Sequence, residues 1–521
     1  MTARDAIVVG GGISGLASAA LLAADGHRVT LFEARDALGG RAGSWERDGF
    51  RFDTGPSWFL MPEVFEHFYR LLGTSMAEQL ELRTLDPGYR AYFEGEATPF
   101  DLPAGSVPAR AALTALDPAS ERDLARYLDS AGATYDLALR RFLYSSFDSM
   151  RPFLAREVLG GLPRLARMLL RSLDGEIRAH TREPRLRRLL GYPAVFLGGS
   201  PLRVPGMYHL MSHLDVDEGV LYPMGGFAAV VQSFVRLAEA AGAELQTGAR
   251  VESVMTVDGR ARGVRYRDAD GALRTQLADL VVTAADLHHV DTQLLDARHR
   301  ERDERWWARR DPGPGAVLAM LGVRGRLPQL AHHTLLLADD WEGAFASVAS
   351  TATGFPTNPS LYIGKPSETD PDVAPRDHEN LFVLVPVAAD TTTGHGGIDG
   401  AGDPRVERFV DGVVAQIASW TGAHDLADRI VVRRTVAPAD FAGELKSWRG
   451  SALGPAHTLR QSAFFRAPNA SRRTAGLLHA GGSTIPGIGV PMCLISAELV
   501  LKRVRGDRSA SPVAEPARAR A

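Results

Sequence analysis

The residues best suited to chemistry stand at the start of the chain. Gly10-x-Gly12-x-x-Gly15, with Ser14 inside it, lies between the apolar run Ile7-Val8-Val9 and the small-residue stretch Leu16 to Ala24. Glycines at that spacing let backbone amides approach a pyrophosphate at a helix N-terminus, where the helix dipole favours an anion. Glu33 follows 23 residues after Gly10, at the end of a second apolar run. A carboxylate there accepts hydrogen bonds from an adenosine ribose and disfavours a 2'-phosphate. The chemistry is that of a dinucleotide cofactor, and these residues alone leave NAD and FAD open.

Further candidate contacts are Gly40 and Arg41 in Leu38-Gly39-Gly40-Arg41, and Asp53, Gly55 and Pro56 in Phe52-Asp53-Thr54-Gly55-Pro56. A second glycine pair followed by arginine suits a second contact on the same pyrophosphate. Val251, in a strand-like stretch from Gly248 to Val257, joins this set. Near the other end, Gly481, Gly482, Gly489 and Val490 belong to a glycine loop that opens a helix-like run, Met492 to Arg503. Such a loop directs amides and a positive dipole end at an anion or an electron-rich ring. His332, His333 and Asp148 are the side chains that invite a proton-accepting role, but no catalytic residue is assigned. No His/Cys/Asp cluster has metal-ligand spacing, so no metal is expected. No Gly-x-Ser-x-Gly elbow follows a strand, since Gly12-Ile13-Ser14-Gly15 belongs to the nucleotide turn. Cys493, the single cysteine, reads as inert packing and cannot form an internal disulfide, which favours a reducing cytoplasm.

The elements that must position these groups begin with strand, turn, helix and strand within the first 33 residues, a βαβ unit that implies a parallel sheet. Residues 6–24 carry no charge, but four glycines make them a strand and a small-residue helix rather than a membrane span or signal. From Leu80 to Leu190 the text reads as helical, rich in Leu and Arg. A loop at Tyr222 to Gly226 leads to an amphipathic helix through Ala241. Strands follow at Gly248 to Val257, Gly263 to Arg267 and Leu280 to Thr283, then at Ala316 to Val323 and Leu381 to Val387. Across 521 residues, 59 basic and 62 acidic side chains leave a net charge of -3, which argues against a nucleic-acid partner.

The run from Leu38 through Pro56 resembles the flavin-containing amine oxidase and carotenoid desaturase superfamily, in which such a stretch continues an FAD site. The likeness extends through LGGSP (197–201), LYPMGGFAAVVQSF (221–234), AHHTL (331–335), SLYIGKP (360–366), GSAL (450–453) and QSAFFR (461–466). It ends in the 481–491 loop, which is similar to the bacterial phytoene desaturase signature except that Ile485 replaces the usual His, Gln or Thr. The resemblance implies FAD as cofactor and a lipophilic C40 carotene such as 15-cis-phytoene as substrate. It further implies removal of two hydrogens per round toward lycopene or neurosporene, hydride transfer to flavin N5, and reoxidation of the cofactor by quinone or oxygen. A ketolase, saturase or later-step desaturase shares every motif used. A flavin amine oxidase and a non-catalytic prenyl-protein escort are the more distant alternatives.

The expected architecture is α/β: a discontinuous Rossmann-like FAD-binding domain with an inserted α+β substrate domain and a helical membrane-facing region. The expected division is residues 1–79, 221–290 and 470–505 for the FAD domain. Residues 80–220 form the helical membrane-associating region, 291–469 the rest of the substrate domain, and 506–521 a disordered tail. Peripheral membrane association rests on Arg151 to Arg188, where ten arginines face four acids for a local charge of +6. There Val158, Leu162, Leu165 and Leu169 repeat at helical spacing, with Arg164, Arg167 and Arg171 available to anionic head groups.

Overall fold

Strands buried on both faces must be nearly all apolar, and Ala6 to Val9 and Val29 to Phe32 meet that condition. In the computed structural model they are the central pair of a five-stranded parallel sheet. Its strands are β1 (Asp5–Val9), β2 (Arg28–Phe32), β3 (Glu244–Gln246), β4 (Leu280–Thr283) and β5 (Leu477–His479), in spatial order β5-β4-β1-β2-β3. Ile7 pairs with Thr30 on one side and Val281 on the other. The structure describes residues 3–148, 158, 160–346, 348, 352 and 354–516.

Three helices cover this sheet and close the core. Helix α1 (Ile13–Ala24) is buried from Ile13 to Ala23, and its Ala, Ser and Gly side chains allow close approach by α2 (Gly226–Ala240) and α3 (Val490–Arg505). Leu16, Phe227, Phe234 and Leu499 meet in one apolar cluster. A three-stranded antiparallel sheet, Arg250–Val257, Arg260–Arg267 and Leu273–Leu277, lies alongside, its first hairpin turning at Asp258-Gly259 as expected.

The second large sheet has seven strands, in the order 430–436, 315–324, 378–387, 361–364, 333–337, 89–93 and 100–102. All its pairings are antiparallel except that between 333–337 and 89–93. Here the expectation of helix from Leu80 is corrected, because Leu82–Thr84, Tyr89–Phe93 and Phe100–Leu102 are strands. Tyr89, Ala91 and Phe93 point to a buried face at period two, and Arg90 pairs with Asp101 across the hairpin. Helices begin at Ser106 and continue as Ser106–Leu116, Glu121–Ala138, Leu162–Leu170, Leu173–Arg178 and Pro184–Gly191.

Of the tail expected to be disordered, residues 517–521 lie outside the described residues, and 506–516 are held to the fold at a few points. Lys502 Nζ donates to the carbonyls of Tyr144, Ser509 and Ser511, and the Val513 amide donates to Glu498. A buried lysine needs acceptors, and the chain folds back to supply them.

Candidate functional site

One cavity of about 800 Å³ runs from Glu33, past the first glycine turn, to an apolar compartment beneath the seven-stranded sheet. Gly10, Gly12, Ser14, Glu33, Gly40, Arg41, Gly55, Pro56, Val251, Gly481, Gly482, Gly489 and Val490 all line it. Of the cofactor contacts singled out from sequence, Gly15 and Asp53 do not.

Each exception has a physical reason. A Cβ on Gly15 would lie 1.8 Å from the Gly10 carbonyl oxygen, so Gly15 lets the turn close rather than facing the cavity. Asp53 accepts hydrogen bonds from the amides of Phe227 and Ala228 at 2.7 and 3.1 Å. Its carboxylate therefore serves the N-terminus of α2, where unpaired amides and the dipole favour a negative charge.

Glu33 is buried, and its two oxygens accept from the amides of Gly11 (2.7 Å) and Arg35 (3.0 Å). Each oxygen keeps a second lone pair for a ligand hydroxyl. Gly12 ends beside Gly40, where a Cβ would come within 3.0 Å of the Gly12 Cα. The two glycine turns thus interlock without side chains, leaving backbone toward the cavity. Arg41 is anchored by Nε to the Ala452 carbonyl at 2.9 Å and by a further bond to Ser447.

The C-terminal loop completes this wall. Gly481 and Gly489 adopt φ of +116° and +117°, and Gly489 begins α3 with no side-chain cap. Two helix N-termini, those of α1 and α3, therefore meet the same cavity. A buried acid for a ribose, two amide-rich turns and uncapped helix ends fit FAD, with Glu33 at the ribose end.

Sequence reading missed one network on this wall. The Ile488 amide donates to His457 Nε2 at 3.2 Å, which leaves the proton on Nδ1, 2.8 Å from the Tyr208 hydroxyl. Tyr208 donates onward to Ser462 at 3.1 Å, and Ser462 to the Thr458 carbonyl at 2.8 Å. Burial and the charge of Arg466 hold the His457 pKa well below the ordinary histidine value, so the ring is neutral. His457 and Tyr208 are 249 residues apart, and no local pattern marks either.

The candidate bases do not reach the cavity. His332 is bonded to Thr369 at 2.7 Å, and burial pushes its pKa down to about 3. His333 is bonded to Tyr362 at 2.7 Å and stacked on Trp58. Asp148 is paired with Arg503. Cys493 lines the cavity, and burial raises its thiol pKa. Among the described residues no group of His, Cys, Asp and Glu has the arrangement of a metal site.

The sequence profile of the flavin containing amine oxidoreductases matches residues 13–504. The chain belongs to that family. It is an FAD-dependent oxidoreductase. A carotenoid 3,4-desaturase of Haloarcula japonica is 38% identical over 96% of this chain and 97% of its own. The zeta-carotene-forming phytoene desaturase of Myxococcus xanthus is 32% identical over 96% and 94%, and the phytoene desaturase of Fusarium fujikuroi 30% identical over 97% and 90%. With these relatives the chain falls among the carotenoid desaturases of the family. Solved structures share the fold: an oxidoreductase of Methanosarcina mazei has a TM-score of 0.62 at 15% identity, covering 96% of this chain and 100% of its own. Putrescine oxidase bound to putrescine has 0.60 at 17%, covering 97% and 99%.

Proposed function

We propose that this flavoenzyme desaturates a C40 carotene, removing two hydrogens from a saturated carbon pair in each round, with phytoene converted toward neurosporene or lycopene. One observation carries the choice of substrate class. The part of the cavity lining drawn from residues 135–214 and 335–386 contains no Asp, Glu, Lys, Arg or His. An amine substrate would need a polar partner there, whereas a hydrocarbon needs apolar walls. Phe142, Phe196, Leu335, Trp341 and Phe345 supply them.

Bound FAD would supply the hydride acceptor, with quinone or oxygen as the terminal oxidant. The protein's contribution is to hold the cofactor on Gly10 to Ser14, Glu33, Gly40, Arg41 and Gly481 to Val490, and to keep the polyene dry beside it. The similarity to a carotenoid 3,4-desaturase favours a second reading, in which the substrate is already conjugated and the new double bond lies near its end.

Entry from a bilayer follows from the substrate. Among the described residues no helix is long and apolar enough to cross a membrane; the contact proposed here is peripheral, at the cytoplasmic face. The proposed docking segment is only partly described, since 151–157, 159 and the Leu162 side chain lie outside the described residues. Of its arginines, Arg167 and Arg171 pair with the buried Glu176, and Arg164 donates to Ser130. Leu170 and the pair Phe464 and Phe465 are exposed apolar side chains suited to insertion.

The test is anaerobic incubation of FAD-loaded protein with quinone and liposomes carrying phytoene or lycopene, read by spectrum and chromatography. A longer-conjugated product from phytoene supports the first reading, and product from lycopene alone the second. Recovery of both unchanged overturns the carotene assignment.

A further inference from the structure

Arg466 is only 5% exposed, and its guanidinium donates to backbone carbonyls alone. Nε reaches Thr484 at 3.0 Å, Nη1 reaches Gln461 at 3.1 Å, and Nη2 reaches Pro455 at 3.0 Å and Gly482 at 2.5 Å. Among the described residues no carboxylate pairs with it. Its neighbours cannot supply the missing charge either. His457 is neutral, burial pushes the Tyr208 hydroxyl up, and burial keeps the Cys493 thiol protonated. Loss of water lowers the Arg466 pKa only to about 10, so at neutral pH it remains a cation.

A buried charge without a counter-ion is costly, and this one lies behind Gly482, which lines the cavity. The uncapped start of α3 adds positive potential to the same wall. A cofactor held with its ribose at Glu33 and its pyrophosphate at the α1 turn would turn its ring end toward this loop. A hydride delivers two electrons and one proton, so the ring gains negative charge on reduction. A fixed cation in a low-dielectric wall discriminates between the two redox forms.

We propose that Arg466 is a positioning residue for electron transfer, whose charge behind Gly482 favours reduced over oxidised flavin and raises the reduction potential of the bound cofactor. This rests on the FAD assignment and is independent of which carotene is oxidised.

The test measures the potential of the holoenzyme by anaerobic equilibration with a reference dye, together with FAD affinity, in wild type, Arg466→Gln and Arg466→Lys. Arg466→Gln is expected to disfavour reduction at least tenfold, a fall of about 30 mV for a two-electron couple. Arg466→Lys is expected to stay close to wild type. The wild-type potential should fall with pH by one proton per two electrons, about 30 mV per pH unit, even in mildly acidic buffer where free reduced flavin takes up both protons. An unchanged potential in Arg466→Gln with weakened FAD binding would overturn the proposal, leaving the charge to the pyrophosphate or the loop. Equal falls in both variants would also overturn it, because loop geometry would then be the cause. If neither variant retains FAD, the wild-type slope decides, and twice the expected slope overturns it. Failure of the FAD assignment would look different, as wild-type protein that takes up no flavin.

Discussion

The Glu33 carboxylate ties down the turn that it helps a ligand to reach. Replacing it with alanine leaves the buried Gly11 amide without its acceptor, a cost of about 1–3 kcal/mol, and removes the ribose contact as well. Glu33→Ala is expected to weaken FAD binding at least tenfold, read by titration of flavin fluorescence. Gly15→Val should be harsher, because its Cβ falls on the Gly10 carbonyl; the purified variant should carry little FAD at normal expression. Full flavin content in Gly15→Val would contradict this account of the turn. Residues whose task is local were legible in the sequence: the glycines and Glu33 answer to one turn and one strand end. His457 and Tyr208 were not, because each acts through a partner brought from another part of the chain, and Arg466 was not because its partners, though within 18 residues, are backbone carbonyls that no side-chain pattern marks. Asp53 shows the opposite error. It sits in a cofactor-like motif, but folding places α2, 174 residues away, against its carboxylate.

Helix α2 has no side-chain cap from its own N-cap residue, Gly225, and borrows one from Asp53. Asp53→Ala should therefore cost about 1–2 kcal/mol of stability, the usual worth of an N-cap, with a lower denaturation midpoint and FAD affinity changed far less than in Glu33→Ala. The helical and central-strand text was readable because burial on both faces writes long apolar runs, as in Ala316 to Val323. The strands at 89–93 and 100–102 escaped notice because they are short and stand at one end of the sheet, with 100–102 as its edge, where Arg90 and Asp101 pair at the surface. Period two over so few residues is easily lost in a stretch rich in Leu and Arg.

Across the whole molecule, the tail is tied to the helix Pro62–Leu71 and to α3. His67 lies between Glu498 and Glu515, at 3.1 and 3.0 Å. Burial opposes charge on its ring, but the two carboxylates outweigh burial and raise its pKa above the usual 6.5. A raised histidine pKa stabilises the folded form most at pH below the unfolded value, and the gain is lost as pH rises through the folded value. Hydrogen exchange of residues 509–516 should accelerate as pH passes upward through that point, beyond the intrinsic increase with pH, and His67→Ala should remove the excess.

The nucleotide sheet carries a consequence for the order of events during synthesis. Its first strand, β1, is flanked by β2 and β4, and the edge strand β5 with the Gly481 to Val490 loop comes from the last tenth of the chain. At roughly 5–20 residues per second, the ribosome exposes the Gly10 turn long before the wall that faces it exists. The nascent chain must hold an open half-site until residues 477–490 have been made, and cofactor loading follows that step.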